Sequence, residues 1–239
     1  MSIRETHDSR NTSNIVIDYR ETTMSNHCYD YPRPALTADI IALRWKRNQL
    51  EVLMIRRAHE PFQGKLALPG GFVDQNETPL EAAARECMEE TGVMTQADHL
   101  IEVGCFGNKD RDPRGWTVSV AFIAFLSSQT EASAQDDAKE VQWIPWHSLI
   151  KGEHTLAFDH AKIVIKAHET LKMYSLTTPA LLNVLETPFR SRQGRFLYRQ
   201  LWGDQLSPRS FKAWLRRVDL VERVGRALFQ AKSHLRLPR

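Results

Sequence analysis

Residues 71 to 93 read GFVDQNETPLEAAARECMEETGV, and the way this stretch folds decides how the rest is read. Thr78 is a good N-cap, Pro79 suits the first helical position, and Glu81 completes a capping box, so a helix is predicted to open at Thr78. It is expected to run to about Thr91 and to stop at Gly92. At about 100° per residue, Glu86, Glu89 and Glu90 fall within about 100° of one another. Leu80, Ala84, Cys87 and Met88 then lie on the opposite side, the face expected to pack on a sheet. Carboxylates at i, i+3 and i+4 repel, and Arg85, four residues before Glu89, cannot neutralise three of them. A hard divalent cation, Mg²⁺ or Mn²⁺, is the natural counter-charge. Acidic helix faces are more often simply solvated, so the surroundings must decide between the two.

Working outward, apolar β-branched runs from Thr37 to Leu43 and from Glu51 to Ile55 flank Lys46-Arg47-Asn48 and suit two strands joined by a polar turn. A Gly-containing loop around Pro69-Gly70-Gly71 leads into the helix, and its missing Cβ atoms let backbone approach a metal or phosphate. Leu100 to Phe106, Trp116 to Leu126 and Val141 to Ile144 read as further strands. A second helix from about Asp159 to Lys172 places Ile163, Val164, Ala167 and Leu171 at helical spacing. The fold class is therefore mixed α/β (α+β). Residues 1 to 35 show no period and are read as a mobile leader, within which Met24 is an alternative start.

The pattern Gly, five residues, Glu, seven residues, Arg-Glu-apolar-any-Glu-Glu-any-Gly-apolar is filled by Gly71, Glu77, Arg85, Glu86, Cys87, Glu89, Glu90, Gly92 and Val93. At every fixed position the stretch resembles the Nudix box. The resemblance implies a Nudix α/β/α sandwich with a mixed sheet over residues 36 to 175, and metal-assisted attack of water on the phosphorus of a nucleoside diphosphate derivative. It also implies that Glu86, Glu89 and Glu90 are metal ligands together with the Gly71 carbonyl. Glu90 would be the most central of them, Arg85 would orient the glutamates, and Glu77 would support the loop or the metal shell. The box leaves the general base open, with Asp136, Asp137 and Glu140 as loop carboxylates to consider.

Outside the box, His59 to Lys65, Asn108 to Trp116 and Leu156 to His160 look like segments shared by ADP-ribose pyrophosphatases and the Nudix-related transcriptional regulators of NAD metabolism. Leu66 departs from the pattern, since relatives often carry Trp there. A dinucleotide-like substrate needs cations for its pyrophosphate and a flat apolar surface for its base, and Arg56, Arg111, Arg114, Phe62 and Trp116 are the candidates. His160 and His168 fit no His-x-x-x-His zinc pattern and read as packing residues or supports of the site.

Residues 187 to 239 hold 13 Lys and Arg against 3 Asp and Glu, a balance of +10, whereas residues 1 to 186 carry 19 against 26, a balance of −7. The two parts are thus suited to different partners. Ser207 caps and Pro208 opens a helix whose Phe211, Trp214, Leu215 and Val218 form one stripe, while Arg209, Lys212 and Arg216 share another face. With a segment from Arg195 to Trp202 ending at Gly203, and a hairpin from Leu220 to Val224 and Ala227 to Phe229, residues 176 to 239 resemble a winged helix-turn-helix. The alternative for the basic tail is a helical extension that packs on the first domain or joins a dimer. Basic helices bind duplex DNA with salt-sensitive affinity.

Two functions follow. One is a Mg²⁺-dependent pyrophosphatase converting ADP-ribose to AMP and ribose 5-phosphate. The other is a DNA-binding regulator of NAD metabolism that senses ADP-ribose. Relatives imply a homodimer. No apolar run approaches the roughly 20 residues of a membrane span and the N-terminus is polar, so a cytoplasmic protein is expected. Three cysteines without a CxxC pair exclude a disulfide scaffold and a cysteine zinc site.

Overall fold

The structure, a computed structural model, describes residues 30–96, 99–135, 138–203, 206–218 and 221–232. The expected leader, Met24, Asp136, Asp137 and Leu220 lie wholly or mostly outside the described residues.

Strands β1 (Ala35–Lys46) and β2 (Gln49–Arg57) form an antiparallel hairpin. Its turn residues Arg47 and Asn48 both have positive φ, 52° and 61°. Such a two-residue turn matches the right-handed twist of the strands it joins. Two short strands follow, β3 (Leu66–Ala67) on β2 and β4 (Gly70–Phe72) on β1. They precede helix α1 (Pro79–Thr91), which has the predicted reciprocal cap between Thr78 and Glu81 and a left-handed Gly92 at its end. Strands β5 (Ile101–Phe106), β6 (Thr117–Phe125) and β7 (Ala138–Pro145) complete a seven-stranded sheet with β1 parallel to β6. Helices α2 (Trp146–Ile150) and α3 (His160–Thr177) come next.

Alternation along β1 builds both layers. Ala38, Ile40 and Ala42 pack on Ala82, Ala83 and Cys87 of α1. Ile41, Leu43 and Trp45 join Ile163, Val164, Ala167 and Leu171 of α3. The result is the expected α/β/α sandwich with a mixed sheet. The face that α1 buries is the predicted one only in part. Cys87 is buried and Leu80 packs on the same cluster, but Met88 is 42% exposed and Ala84 only partly buried, whereas Ala82, Ala83 and Glu90 face inward. The helix is rotated because Glu90 turns toward the backbone of β4, which periodicity within α1 cannot reveal.

A 3-10 turn (Ala180–Val184) leads to β8 (Phe189–Arg190), α4 (Ser191–Trp202), α5 (Pro208–Arg217), β9 (Val221–Gly225) and β10 (Leu228–Ala231). The three strands pair in the order β8-β10-β9 beside the two helices, the arrangement of a winged helix-turn-helix. Phe211 and Leu215 of α5 are buried, and Arg209, Lys212 and Arg216 are exposed. This module shares one apolar cluster with α3, and the Ser175 carbonyl and hydroxyl accept bonds from the Tyr198 hydroxyl at 2.9 Å and Trp202 Nε1 at 3.1 Å. Among the described residues no helix is long and apolar enough to cross a membrane, and Cys87 and Cys105 carry no disulfide.

Candidate active site

The turn between β3 and α1 lies against the carboxylate end of the box helix because β4 pairs with β1, Ala38 opposite Gly71 and Asp39 opposite Gly70. The Gly70 amide donates to Glu90 Oε2 at 2.9 Å. An ideal Cβ on Gly71 would stand 2.3 Å from Glu86 Oε1, so the bare Cα is what lets that carboxylate lie against the turn. On Gly70, at φ 156°, a Cβ would meet the Ala38 carbonyl at 2.3 Å and Asp39 Oδ1 at 2.8 Å. Glu86, Glu90 and Asp39 thus gather around two glycines.

Burial pushes the Glu90 carboxyl up to about 8, with Glu86 and Asp39 adding to the rise and the Gly70 amide and Arg57 opposing it. Glu86 is also raised, chiefly by burial. Arg85 pairs with Glu89, as its i,i+4 spacing allows, and with more besides. It donates to Glu77 at 2.6 and 3.1 Å, and at 2.9 Å to each of Glu86, Glu89 and the Phe72 carbonyl. The Arg85 bond holds Glu77 below the usual carboxylate range, and Glu77 in turn accepts from the Asp74 amide at 2.7 Å. Glu89 is held by Arg85 on the exposed side and does not line the cavity.

An open cavity of about 240 Å³ is lined by Glu86 and Glu90 together with Arg57, Arg111, Arg114, Phe158 and His160. Part of its lining is a buried polar cluster. Arg111, 6% exposed, bonds Asp159 at 3.0 Å, Asp39 at 3.5 Å and Thr37 at 3.5 Å. Asp39 Oδ2 also accepts from Ser119. His160 Nδ1 accepts the Leu68 amide at 2.9 Å while Nε2 faces Asp39 at 3.5 Å, and burial lowers its pKa, so the imidazole is neutral with its proton on Nε2. Arg114 forks onto Asp112, and although burial opposes it, these bonds hold Asp112 below its usual range.

Of the predicted residues the cavity collects Gly71, Glu86, Glu90, Arg111 and Arg114. The others lie elsewhere. Arg56 donates to Glu140 at 3.0 Å and the Gly64 carbonyl at 2.8 Å, so both Arg56 and Glu140 are committed away from the cavity. Phe62 packs edge-on against Phe158 at 4.9 Å. Trp116 is 52% exposed beside the strand start at Ala35. His168 accepts from Trp146 Nε1 at 3.2 Å, well outside the site. Sequence reasoning missed Thr37, Asp39, Arg57, Asp112 and Phe158. The signal for Asp39 was available, because a carboxylate inside an otherwise apolar strand must have partners.

The donor set fits a hard cation only in part. Among the described residues no three His, Cys, Asp or Glu side chains converge closely enough to hold a metal by themselves. Glu86 and Glu90 offer oxygens of the right hardness at the glycine cradle, and Mg²⁺ ordinarily completes its shell with water and substrate phosphate.

The NUDIX domain profile matches residues 33–167. The chain is 28% identical over 212 residues to the ADPR responsive transcriptional repressor NtrR of Acinetobacter baylyi, covering 88% of this chain and 83% of that protein. It is 41% identical over 134 residues to an ADP-ribose pyrophosphatase of Methanocaldococcus jannaschii, covering 56% and 73%. The crystal structure of Shewanella oneidensis NrtR complexed with a 27mer DNA superposes with a TM-score of 0.68 at 28% identity, over 82% of this chain and 93% of that one.

Proposed function

Starting from a chain that belongs to the NUDIX family, we propose that it hydrolyses the pyrophosphate of ADP-ribose, or of a related nucleoside diphosphate derivative, to AMP and ribose 5-phosphate. The observation that carries this reading is the pair Glu86 and Glu90, one against each of two glycines, lining one cavity with Arg57, Arg111 and Arg114. A Mg²⁺ or Mn²⁺ ion held by Glu86, Glu90 and the Gly71 carbonyl, with Glu89 once Arg85 releases it, would supply charge neutralisation on phosphoryl oxygens and lower the pKa of a bound water.

The chain's own residues do the rest. Arg85 and Glu77 fix the box helix relative to the glycine turn, so the carboxylates are preorganised. The Gly70 amide orients Glu90, and the bare Cα of Gly71 lets the Glu86 carboxylate lie against the turn. Arg114 brings positive charge to the diphosphate. Arg111, fully engaged with Asp39, Thr37 and Asp159, ties β1 to the start of α3 and acts as a positioning residue. Phe72, which lines the cavity and is 46% exposed, and Trp116, 52% exposed, offer apolar surface for a base.

A second reading, a DNA-binding regulator of NAD metabolism that senses ADP-ribose, is favoured by the winged module with Arg209, Lys212 and Arg216 exposed on α5. It is also favoured by the likeness to a repressor across 88% of the chain. In this reading a homodimer meets a duplex with both basic helices. Turnover of ADP-ribose, NADH, diadenosine polyphosphates and nucleotide sugars with Mg²⁺ separates the two. ADP-ribose cleaved to AMP supports the enzyme. No turnover of any of them, with tight duplex binding released by ADP-ribose, overturns it and leaves the regulator.

A further inference from the structure

The start of α3 departs from the usual pattern of helix caps. Asp159 occupies the N-cap position, where an aspartate ordinarily accepts from the helix's own free amides, yet it makes no such bond and turns to Arg111 at 3.0 Å. His160, the first helical residue, turns inward as well and is 3% exposed. A polar side chain at a helix start ordinarily stays in water, and burying it costs free energy unless partners take up its polar atoms. For His160 those partners lie on the wall of the cavity that also carries Glu86 and Glu90. Nδ1 accepts the Leu68 amide at 2.9 Å, and Nε2 faces Asp39 Oδ1 at 3.5 Å. A neutral imidazole with its proton on Nε2 serves both at once, and burial favours the neutral form.

Both partners belong to the glycine turn or its support. Leu68 is 1% exposed and sits between β3 and β4, in neither strand, so the imidazole is what satisfies its amide. Two residues on, Gly70 gives its amide to Glu90, and Gly71 lies against Glu86. Asp39 is the β1 residue opposite Gly70. The backbone adds one bond within the turn, from the Ile40 amide to the Pro69 carbonyl at 2.9 Å. Strands of two and three residues on either side supply few ladder bonds, so a side-chain prop matters here. The chain leading into α3 runs alongside the same turn, with the Ala157 amide donating to the Leu66 carbonyl at 2.8 Å and Phe158 flanking the imidazole at 5.3 Å between ring centres.

We infer that His160 is a positioning residue: through Leu68 on one ring nitrogen and Asp39 on the other, it sets where the Gly70 amide and the Gly71 carbonyl stand relative to Glu90 and Glu86. It acts through the turn and not on the reacting atoms. This rests on the reading of those carboxylates as a hydrolytic metal site. The test compares the full-length His160→Phe variant, which keeps a ring but neither bond, with His160→Asn, whose amide oxygen can take the place of Nδ1 and keep the Leu68 bond. Both are assayed, below the onset of unfolding, for AMP release from ADP-ribose with Mg²⁺ and for Mn²⁺ affinity by electron paramagnetic resonance. His160→Phe is expected to lower kcat about 10- to 100-fold, the scale of a displacement of up to about 1 Å at the turn. KM should stay within about threefold, Mn²⁺ should bind more weakly, and His160→Asn should recover most of the lost kcat. A residue that only packs would lower Tm and leave kcat per folded molecule unchanged. A folded His160→Phe with wild-type kcat and Mn²⁺ affinity overturns the inference, and so does a His160→Asn as slow as His160→Phe. In the wild type, imidazole nitrogen chemical shifts should report a proton on Nε2, and a proton on Nδ1 overturns the assignment without any variant. A wild-type chain that binds Mn²⁺ but cleaves no ADP-ribose overturns the hydrolase reading alone, and the Mn²⁺ affinity of His160→Phe then decides the positioning role.

Discussion

Replacing Gly71 by alanine separates catalytic geometry from folding. A Cβ at that position would stand 2.3 Å from Glu86 Oε1, 2.4 Å from its carboxyl carbon and 2.7 Å from Oε2, whereas ordinary contact begins at 3.4 Å. The carboxylate must therefore retreat by about 1 Å, and a misplacement of that size at a reacting centre costs about 100-fold in rate. That corresponds to about 2.7 kcal/mol of transition-state stabilisation. The fold should barely notice. The obstructing atoms are the end of a flexible side chain, and Arg85 keeps both bonds to Glu77 if it loses the one to Glu86. The pair lost is partly exposed and worth about 0–1 kcal/mol, and removing a glycine from the unfolded chain returns about 0.4–1 kcal/mol. The assay is kcat/KM for AMP release from ADP-ribose, with Tm by circular dichroism. Gly115→Ala is the control, since nothing lies within 4 Å of its added methyl. A Gly71→Ala protein with kcat/KM within twofold of wild type would refute the reasoning, because the cradle would then have no catalytic content.

Acid should destabilise the folded chain through His160 and His168, both held below the usual 6.5 mainly by burial. The folded pKa is depressed, so the stability is present above about 6.5 and lost as pH falls through the folded value. Urea unfolding at about pH 7.5 and about pH 5.5 measures it, and His168→Gln, which keeps an acceptor for Trp146, should flatten the difference; equal slopes in both proteins would count against it. Tyr198→Phe removes the bond to the Ser175 carbonyl in the last turn of α3 and should cost about 1–2 kcal/mol in urea unfolding, with kcat/KM unchanged. An unchanged midpoint would show that this bond does not tie α4 to α3. Combined loss of Arg209, Lys212 and Arg216 should weaken duplex binding and reduce the slope of log K against log salt by about 2–3. No change in slope would favour packing or dimer contacts for that face.

Local signals were the legible ones. The Thr78 cap, the Arg85 to Glu89 pairing and the Phe211 and Leu215 stripe depend on neighbours within a turn or two, and the structure has them as predicted. Long-range pairing decided what sequence could not supply. Glu90 turned inward because β4 lies on β1, which brings an amide from twenty residues away. Arg56 was the candidate read from sequence, yet the β2–β7 register shifts between Arg56 and Arg57 and it is Arg57 that lines the cavity. Arg111 was read as a substrate contact from its charge, yet its donors are used by Thr37, Asp39 and Asp159, residues on two other segments. Two-residue strands such as β3 and β8 have too few positions to show a period, and they form because a partner strand is already in place.

Titration of Mn²⁺ into wild type and into the Glu86→Gln, Glu90→Gln double variant, followed by the loss of the free-ion electron paramagnetic resonance signal, tests the core of this account most directly. Saturable binding by the wild type that disappears in a still-folded double variant is the expected result. Equal binding by both proteins would place the cation elsewhere and contradict the assignment of these two carboxylates.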